Sequence, residues 1–187
     1  DVGIDVEELL LNNGITAYAF YGVTGIEHIT VPEGVTSIPA NAFYGLKSLK
    51  SVTLPSTLQS IGNYAFAYCT SLESIVIPET MVVLGTNLFQ GCTSLSSVTL
   101  PEGLDVLSNY MFEGCTSLKT LNLPNRLRGV QNDYDAFQFG LEISGGLSNG
   151  NAVMCFSEYD GRDCAAVESI NVEEGGLYFS SYDGALY

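Results

Sequence analysis

Pro32, Pro55, Pro78, Pro101 and Pro124 fall 23 residues apart over four consecutive intervals. Unrelated elements packed into a globule have no reason to keep such a period. A fixed step of this size marks a solenoid, in which each unit buries its apolar face only against its neighbours. The apolar columns keep the same step. Phe20, Phe43, Phe66, Phe89 and Phe112 form one, Leu49, Leu72, Leu95 and Leu118 a second, and Leu46, Cys69, Cys92 and Cys115 a third. One unit reads Leu49-x-x-Val52-x-Leu54-Pro55-x-x-Leu58-x-x-Ile61-Gly62-x-x-Ala65-Phe66-x-x-Cys69.

Each column has a physical role. Leu49, Val52 and Leu54 end in the in-out-in alternation of a short strand. The following proline has no N–H to donate, so it ends the ladder and turns the chain. Leu58 and Ile61 point inward from the opposite wall. The Ala-Phe pair, with Cys or Leu three residues on, predicts a single helical turn on the convex side. Stacked strands about 4.8 Å apart form one parallel sheet on the concave side. The expected fold is an α/β solenoid, a right-handed, gently curved horseshoe segment.

The string Leu-x-x-Ile-x-Leu-Pro-x-x-Leu-x-x-Ile-Gly-x-x-Ala-Phe-x-x-Cys-x-Ser-Leu resembles the repeat of the BspA-like leucine-rich repeat proteins of bacterial surfaces. The likeness covers residues 15–130, and the tail from Ile170-Asn171-Val172 to Tyr187 is similar to a segment found between such repeats in gut-bacterial members. The resemblance implies an extracellular, cell-surface, non-catalytic module for protein binding in adhesion or host interaction. In one respect the chain departs from ordinary leucine-rich repeats, because no asparagine ladder follows the strand. That column holds Gly34, Thr57, Thr80, Gly103 and Arg126, which predicts that turn-stabilising side-chain amides are missing there.

Residues 1–187 read as a single solenoid domain. A degenerate N-terminal part (1–14) precedes regular repeats (15–130), an irregular or inserted unit (131–163) and a final, truncated repeat (164–187). Cys164-x-x-Val167-x-x-Ile170-x-Val172 copies Cys115-x-x-Leu118-x-x-Leu121-x-Leu123 at a distance of 49 residues, or 23 + 26, so one unit is stretched or replaced. Asp135-Ala136-Phe137 keeps the Ala-Phe signature two residues late. Residues 140–144 and 151–156 flank a Gly-rich link and predict a hairpin or two irregular strands. Neither end carries the polar cap that solenoids need, which predicts other repeats or domains of a longer protein on either side. No run of 18 apolar residues predicts a membrane span.

The net charge of −15, with 6 basic against 21 acidic residues, excludes nucleic acid as a partner, since phosphate binding needs clustered Lys and Arg. Calcium could be held by Asp133 with Asp135, or by Glu158, Asp160 and Asp163, but no EF-hand spacing supports it and net charge accounts for the acidity as solubility. The cysteine column replaces a core leucine and predicts buried, reduced thiols; Cys155 alone lies off it. With one histidine and no paired Cys-x-x-Cys, no metal or cofactor is expected. His28 stands beside the Ser51 column, yet a flat sheet offers no oxyanion hole, so no catalysis is expected.

What remains is surface. The outward sheet positions include Glu27, His28, Lys50, Ser51, Glu73, Ser74, Ser97 and Thr120, with alternating charge at Glu27, Lys50 and Glu73. Tyr18, Asn41, Tyr64, Asn87 and Tyr110 form a convex column, and Tyr21, Tyr44 and Tyr68 add rings nearby. Tyrosine suits interfaces because it brings contact area at low rotamer cost, although such rings also simply cover a turn. The irregular unit offers Tyr134, Phe139, Phe156 and Tyr159 as anchors, and it alone breaks the sameness of the repeats. The candidate partner-binding residues are therefore Lys50, Ser51, Ser74, Ser97, Thr120, Tyr64, Tyr110, Tyr134, Phe139, Phe156 and Tyr159. The expected partner is a protein or a surface glycan, the latter disfavoured by the absence of Trp. The alternative is a structural spacer within a larger surface protein.

Overall fold

The computed structural model describes residues 15–108, 110–118, 120–124, 129–131, 137–138, 169–172, 181–182 and 185–186. Within them the period becomes a stack of coils. Strands β1 (His28–Thr30), β3 (Ser51–Thr53), β5 (Ser74–Val76) and β6 (Ser97–Thr99) form one parallel sheet in that order. The register is the repeat itself: His28 faces Ser51, Ser51 faces Ser74, and Ser74 faces Ser97. β8 (Thr120–Leu123) packs beside β6. After each strand the chain turns at proline, and the N–H groups of Val35, Leu58, Met81 and Leu104 donate to the carbonyls of Pro32, Pro55, Pro78 and Pro101.

A second wall follows. β2 (Ser37–Ile38) pairs with β4 (Ser60–Ile61) in parallel, and β7 (Val106–Ser108) pairs with β9 (Gly129–Gln131) in the same sense. The coils approach most closely just beyond. Gly62 N–H donates to the Ile38 carbonyl at 2.8 Å and Gly85 N–H to the Ile61 carbonyl at 3.0 Å. A Cβ on Gly85 would lie 2.4 Å from the Gly62 carbonyl carbon, so glycine is obligatory there.

The third wall differs from expectation. Among the described residues no α-helix is present, and the Ala-Phe segments form hydrogen-bonded turns instead. The cause is backbone handedness. The column Tyr18, Asn41, Tyr64, Asn87, Tyr110 has φ of 51 to 59°, and four residues later Gly22, Gly45, Tyr68, Gly91 and Gly114 have φ of 60 to 79°. An α-helix needs an unbroken right-handed run, and left-handed residues at the first and fifth positions prevent one. The N–H groups then alternate in direction. Those of Ala42, Tyr44 and Leu46 bond back within the coil, whereas those of Asn41, Phe43 and Gly45 donate to Asn63, Ala65 and Ala67 in the next coil.

The interior is one apolar seam. Phe20, Phe43, Phe66, Phe89 and Phe112 stack at centroid distances of 5.3 to 5.9 Å, with ring planes 13 to 20° apart. Cys69, Cys92 and Cys115 are free, buried thiols, as their column predicts. Each donates to a phenylalanine carbonyl 26 residues earlier: Cys69 to Phe43 at 3.2 Å, Cys92 to Phe66 at 3.1 Å, Cys115 to Phe89 at 3.2 Å.

β11 (Ser169–Val172) pairs directly with β8, in parallel, with Ile170 opposite Leu121 and Val172 opposite Leu123. The 49-residue likeness thus joins two strands that are direct neighbours, Thr120 facing Ser169. Phe137 does not keep the turn-wall role that its Ala-Phe signature predicts. It sits in β10 (Phe137–Gln138), antiparallel to β9 and opposite Gln131. Near the C-terminus β12 (Ser181–Tyr182) and β13 (Ala185–Leu186) also pair antiparallel, so the parallel sense is not continued throughout. The expected degenerate segment 1–14 and the hairpin around residues 145–150 lie outside the described residues, as do Cys155 and Cys164.

Candidate partner-binding surfaces

On the sheet wall, alternation exposes every second strand residue and leaves Ile29, Val52, Ile75 and Val98 inside. Ser51, Ser74 and Ser97 lie side by side there with Lys50 next to Ser51, and Thr120 begins β8 beside β6. Lys50 Nζ lies 2.7 Å from Glu27 Oε2. The pair lowers the Glu27 pKa and raises that of Lys50, first through its hydrogen bond and then through charge. Glu73 makes no ion pair among the described residues, so the expected alternation yields one bridge only. Both partners are half exposed, and such a bridge is worth little.

His28 Nδ1 and Ser51 Oγ share a hydrogen bond of 2.8 Å on the exposed face. The pair belongs to the row of outward side chains on the strand surface, with His28 exposed and Ser51 partly buried. It links neighbouring coils across the sheet.

Below these positions a groove of about 630 Å³ runs from Ser51 and Ser74 to the proline turns, bounded by Glu33, Ser56, Pro78 and Glu79. It is lined by Val76, 63% exposed in a column that otherwise holds Thr30, Thr53, Thr99 and Asn122. The turns beside it are cross-linked by side chains that sequence reasoning passed over. Thr57 Oγ1 donates to the Val35 carbonyl at 2.9 Å and accepts from Gly34 N–H at 3.0 Å, and Thr80 Oγ1 donates to the Leu58 carbonyl at 2.6 Å. Threonine hydroxyls therefore form the ladder that asparagine amides were expected to leave vacant. Glu33 accepts from the N–H and hydroxyl of Ser56, which lowers its pKa.

On the turn wall, Tyr64 and Tyr110 stand two coils apart in the left-handed column. Their conformation is set by the backbone path, a role the sequence pattern did not reveal. Tyr64 joins Tyr18, Tyr21, Asn41 and Tyr44 around a concavity of about 440 Å³. Tyr134, Phe139, Phe156 and Tyr159 lie outside the described residues. Among the described residues no cluster of three or more metal-ligating side chains occurs, and no helix is long and apolar enough to cross a membrane.

The chain matches solved structures. The pneumococcal vaccine antigen PcpA aligns over 92% of this chain and 39% of its own, at 22% identity and a TM-score of 0.66. A leucine-rich repeat protein from Bacteroides ovatus is 28% identical over 60% of this chain and 34% of its own, with a TM-score of 0.45. The leucine-rich repeat protein of T. pallidum is 26% identical over 55% of this chain and 61% of its own, with a TM-score of 0.49. In each case the chain spans less than two thirds of the solved structure it matches. No curated protein matches the chain. A family model described as "BspA type Leucine rich repeat region" matches residues 13–139 in 6 copies. The match spans the proline turns, the phenylalanine stack and the thiol column, and the chain belongs to the BspA-type leucine-rich repeat family.

Proposed function

We propose that this chain is the non-catalytic, protein-binding part of a bacterial cell-surface protein, exposed outside the cell and serving adhesion or host contact. The sheet wall forms the inner face of a horseshoe, and short turns close its outer face. The groove between Ser51, Ser74 and the proline turns carries the reading, because Val76 puts an exposed apolar side chain beside Leu54 and Pro78, within a polar surround of Thr53, Ser56, Glu33 and Glu79. Apolar anchors within a polar rim are the usual makeup of a recognition surface. Lys50 and Thr120 extend the row. The irregular unit, residues 131–163, offers Tyr134, Phe139, Phe156 and Tyr159 as further anchors, and Tyr64 and Tyr110 present a second face. The likeness to bacterial surface proteins, and a vaccine antigen among the proteins of this fold, support the location.

The test is binding of fluorescently labelled chain to cultured epithelial cells, before and after protease treatment of the cells. Saturable, protease-sensitive binding that is lost in Val76→Glu, and in a variant whose residues 131–163 are replaced by a regular 23-residue unit, is the expected result. Protease-resistant binding abolished by glycosidase would assign a glycan partner. No binding by a folded chain would favour the spacer reading, for which hydrogen bonding between coils on all three walls is the specific support.

A further inference from the structure

At the N-terminal end of the turn wall the tyrosines make more than a coat. The ring centroids of Tyr18, Tyr21 and Tyr44 lie 5.9, 6.2 and 6.1 Å apart pairwise, and Tyr68 stands 5.4 Å beyond Tyr44. Tyr21 is 66% and Tyr18 53% exposed, so the group keeps much of its aromatic surface in water. With Asn41 and Tyr64 these rings bound the 440 Å³ concavity, and among the described residues no charged side chain lines it. Burial, then Tyr68 and the other neighbouring tyrosines, raises the Tyr44 pKa, which keeps its ring neutral.

The geometry selects a ligand class. Tyr21 and Tyr44 are inclined to Tyr18 by 89° and 64°, so the three rings offer no common plane on which a sugar could stack. Inclined rings instead surround a compact body on several sides. The faces of aromatic rings carry negative potential, and the chain around them has a net charge of −15. A metal ion or a bare ammonium group is strongly hydrated and gains less from exposed rings. A methylated ammonium group is weakly hydrated and fits both requirements.

We propose that the concavity formed by Tyr18, Tyr21, Tyr44, Tyr64 and Asn41 binds quaternary ammonium groups through cation–π contact. Asn41 and Tyr64 supply polar groups at its wall. The site lies on the turn wall and does not depend on the sheet-wall groove.

Ring-labelled tyrosine NMR tests it, with tetramethylammonium chloride titrated against sodium chloride at equal ionic strength. Saturable shifts of a small set of the 11 tyrosine signals are expected. Tert-butyl alcohol, the uncharged analogue of similar shape, should bind at least about tenfold more weakly. Tyr21→Leu and Tyr44→Leu should each abolish saturation, the former at a side chain exposed enough to leave the fold intact. Co-sedimentation with phosphatidylcholine but not phosphatidylglycerol vesicles would make a lipid headgroup the source, and tetramethylammonium binding without co-sedimentation a soluble compound. Absence of saturation, equal affinity for the alcohol, or binding retained in both leucine variants would overturn the proposal. None of these outcomes touches Val76 or binding to cells.

Discussion

The thiol of Cys92 donates to the carbonyl of Phe66 at 3.1 Å, and that same carbonyl accepts the backbone N–H of Cys69. The cysteine column is thus a set of hydrogen-bonded links between coils as well as apolar filling. In a Cys155→Ala/Cys164→Ala variant, Cys69, Cys92 and Cys115 should react with a thiol reagent only at the rate of unfolding. Burst labelling of native protein would contradict their placement.

The phenylalanine stack concentrates the core. Phe66 and Phe89 are fully buried and stack on a ring to either side. Truncation of either to alanine should cost about 3 to 5 kcal/mol, measured by urea unfolding. A loss below about 1 kcal/mol would place the rings on the surface instead, since the transfer term alone exceeds it for a buried ring.

Two glycines separate crowding from conformation. At Gly34, φ is +98° and an added Cβ meets nothing, so Gly34→Ala should cost only the backbone strain, about 1 kcal/mol. At Gly85 the added Cβ would strike the backbone of the preceding coil. Gly85→Ala should therefore cost about 3 kcal/mol or more, and thermal unfolding of the pair would rank them. The reverse order would mean that the coils separate easily at that wall.

Alkali should loosen the protein. Burial pushes Cys69 and Cys115 up to about 12 and Cys92 in the same direction, against an ordinary thiol value of 9.0. A folded pKa above the unfolded one gives stability that is complete below 9.0 and lost as pH rises towards 12. Urea midpoints should fall across that window. Triple replacement of these cysteines by alanine should flatten the decline, leaving a smaller slope of the same sign from Tyr44.

Side-chain polarity made the apolar columns legible, because inward positions must recur wherever coils stack. Backbone sign is not written in hydropathy. Tyr18, Tyr64 and Tyr110 therefore read as interface decoration, although Asn41 and Asn87 between them, with glycine four residues on, were the available clue to a left-handed column. Local signatures also failed where pairing decided the outcome. Ala136-Phe137 looked like another turn, but the antiparallel partner Gln131 drew Phe137 into a strand. The threonines at 57 and 80 lacked an amide and were discounted, yet their hydroxyls bond the Val35 and Leu58 carbonyls of the preceding coil. For the candidate site, the Ser51–Ser74–Ser97 row followed from the period, while the groove depended on how the proline turns stand above it.

The alternating turn-wall amides have a mechanical meaning. Because Asn41, Phe43 and Gly45 reach into the following coil while the strands do so from the sheet wall, neighbouring coils are fastened on opposite sides. Tension along the stack loads these fastenings together, where coils joined by a sheet alone would peel open from the free side. A tether built this way should give in discrete steps of one coil under an optical trap, each absorbing a tug before the next is exposed.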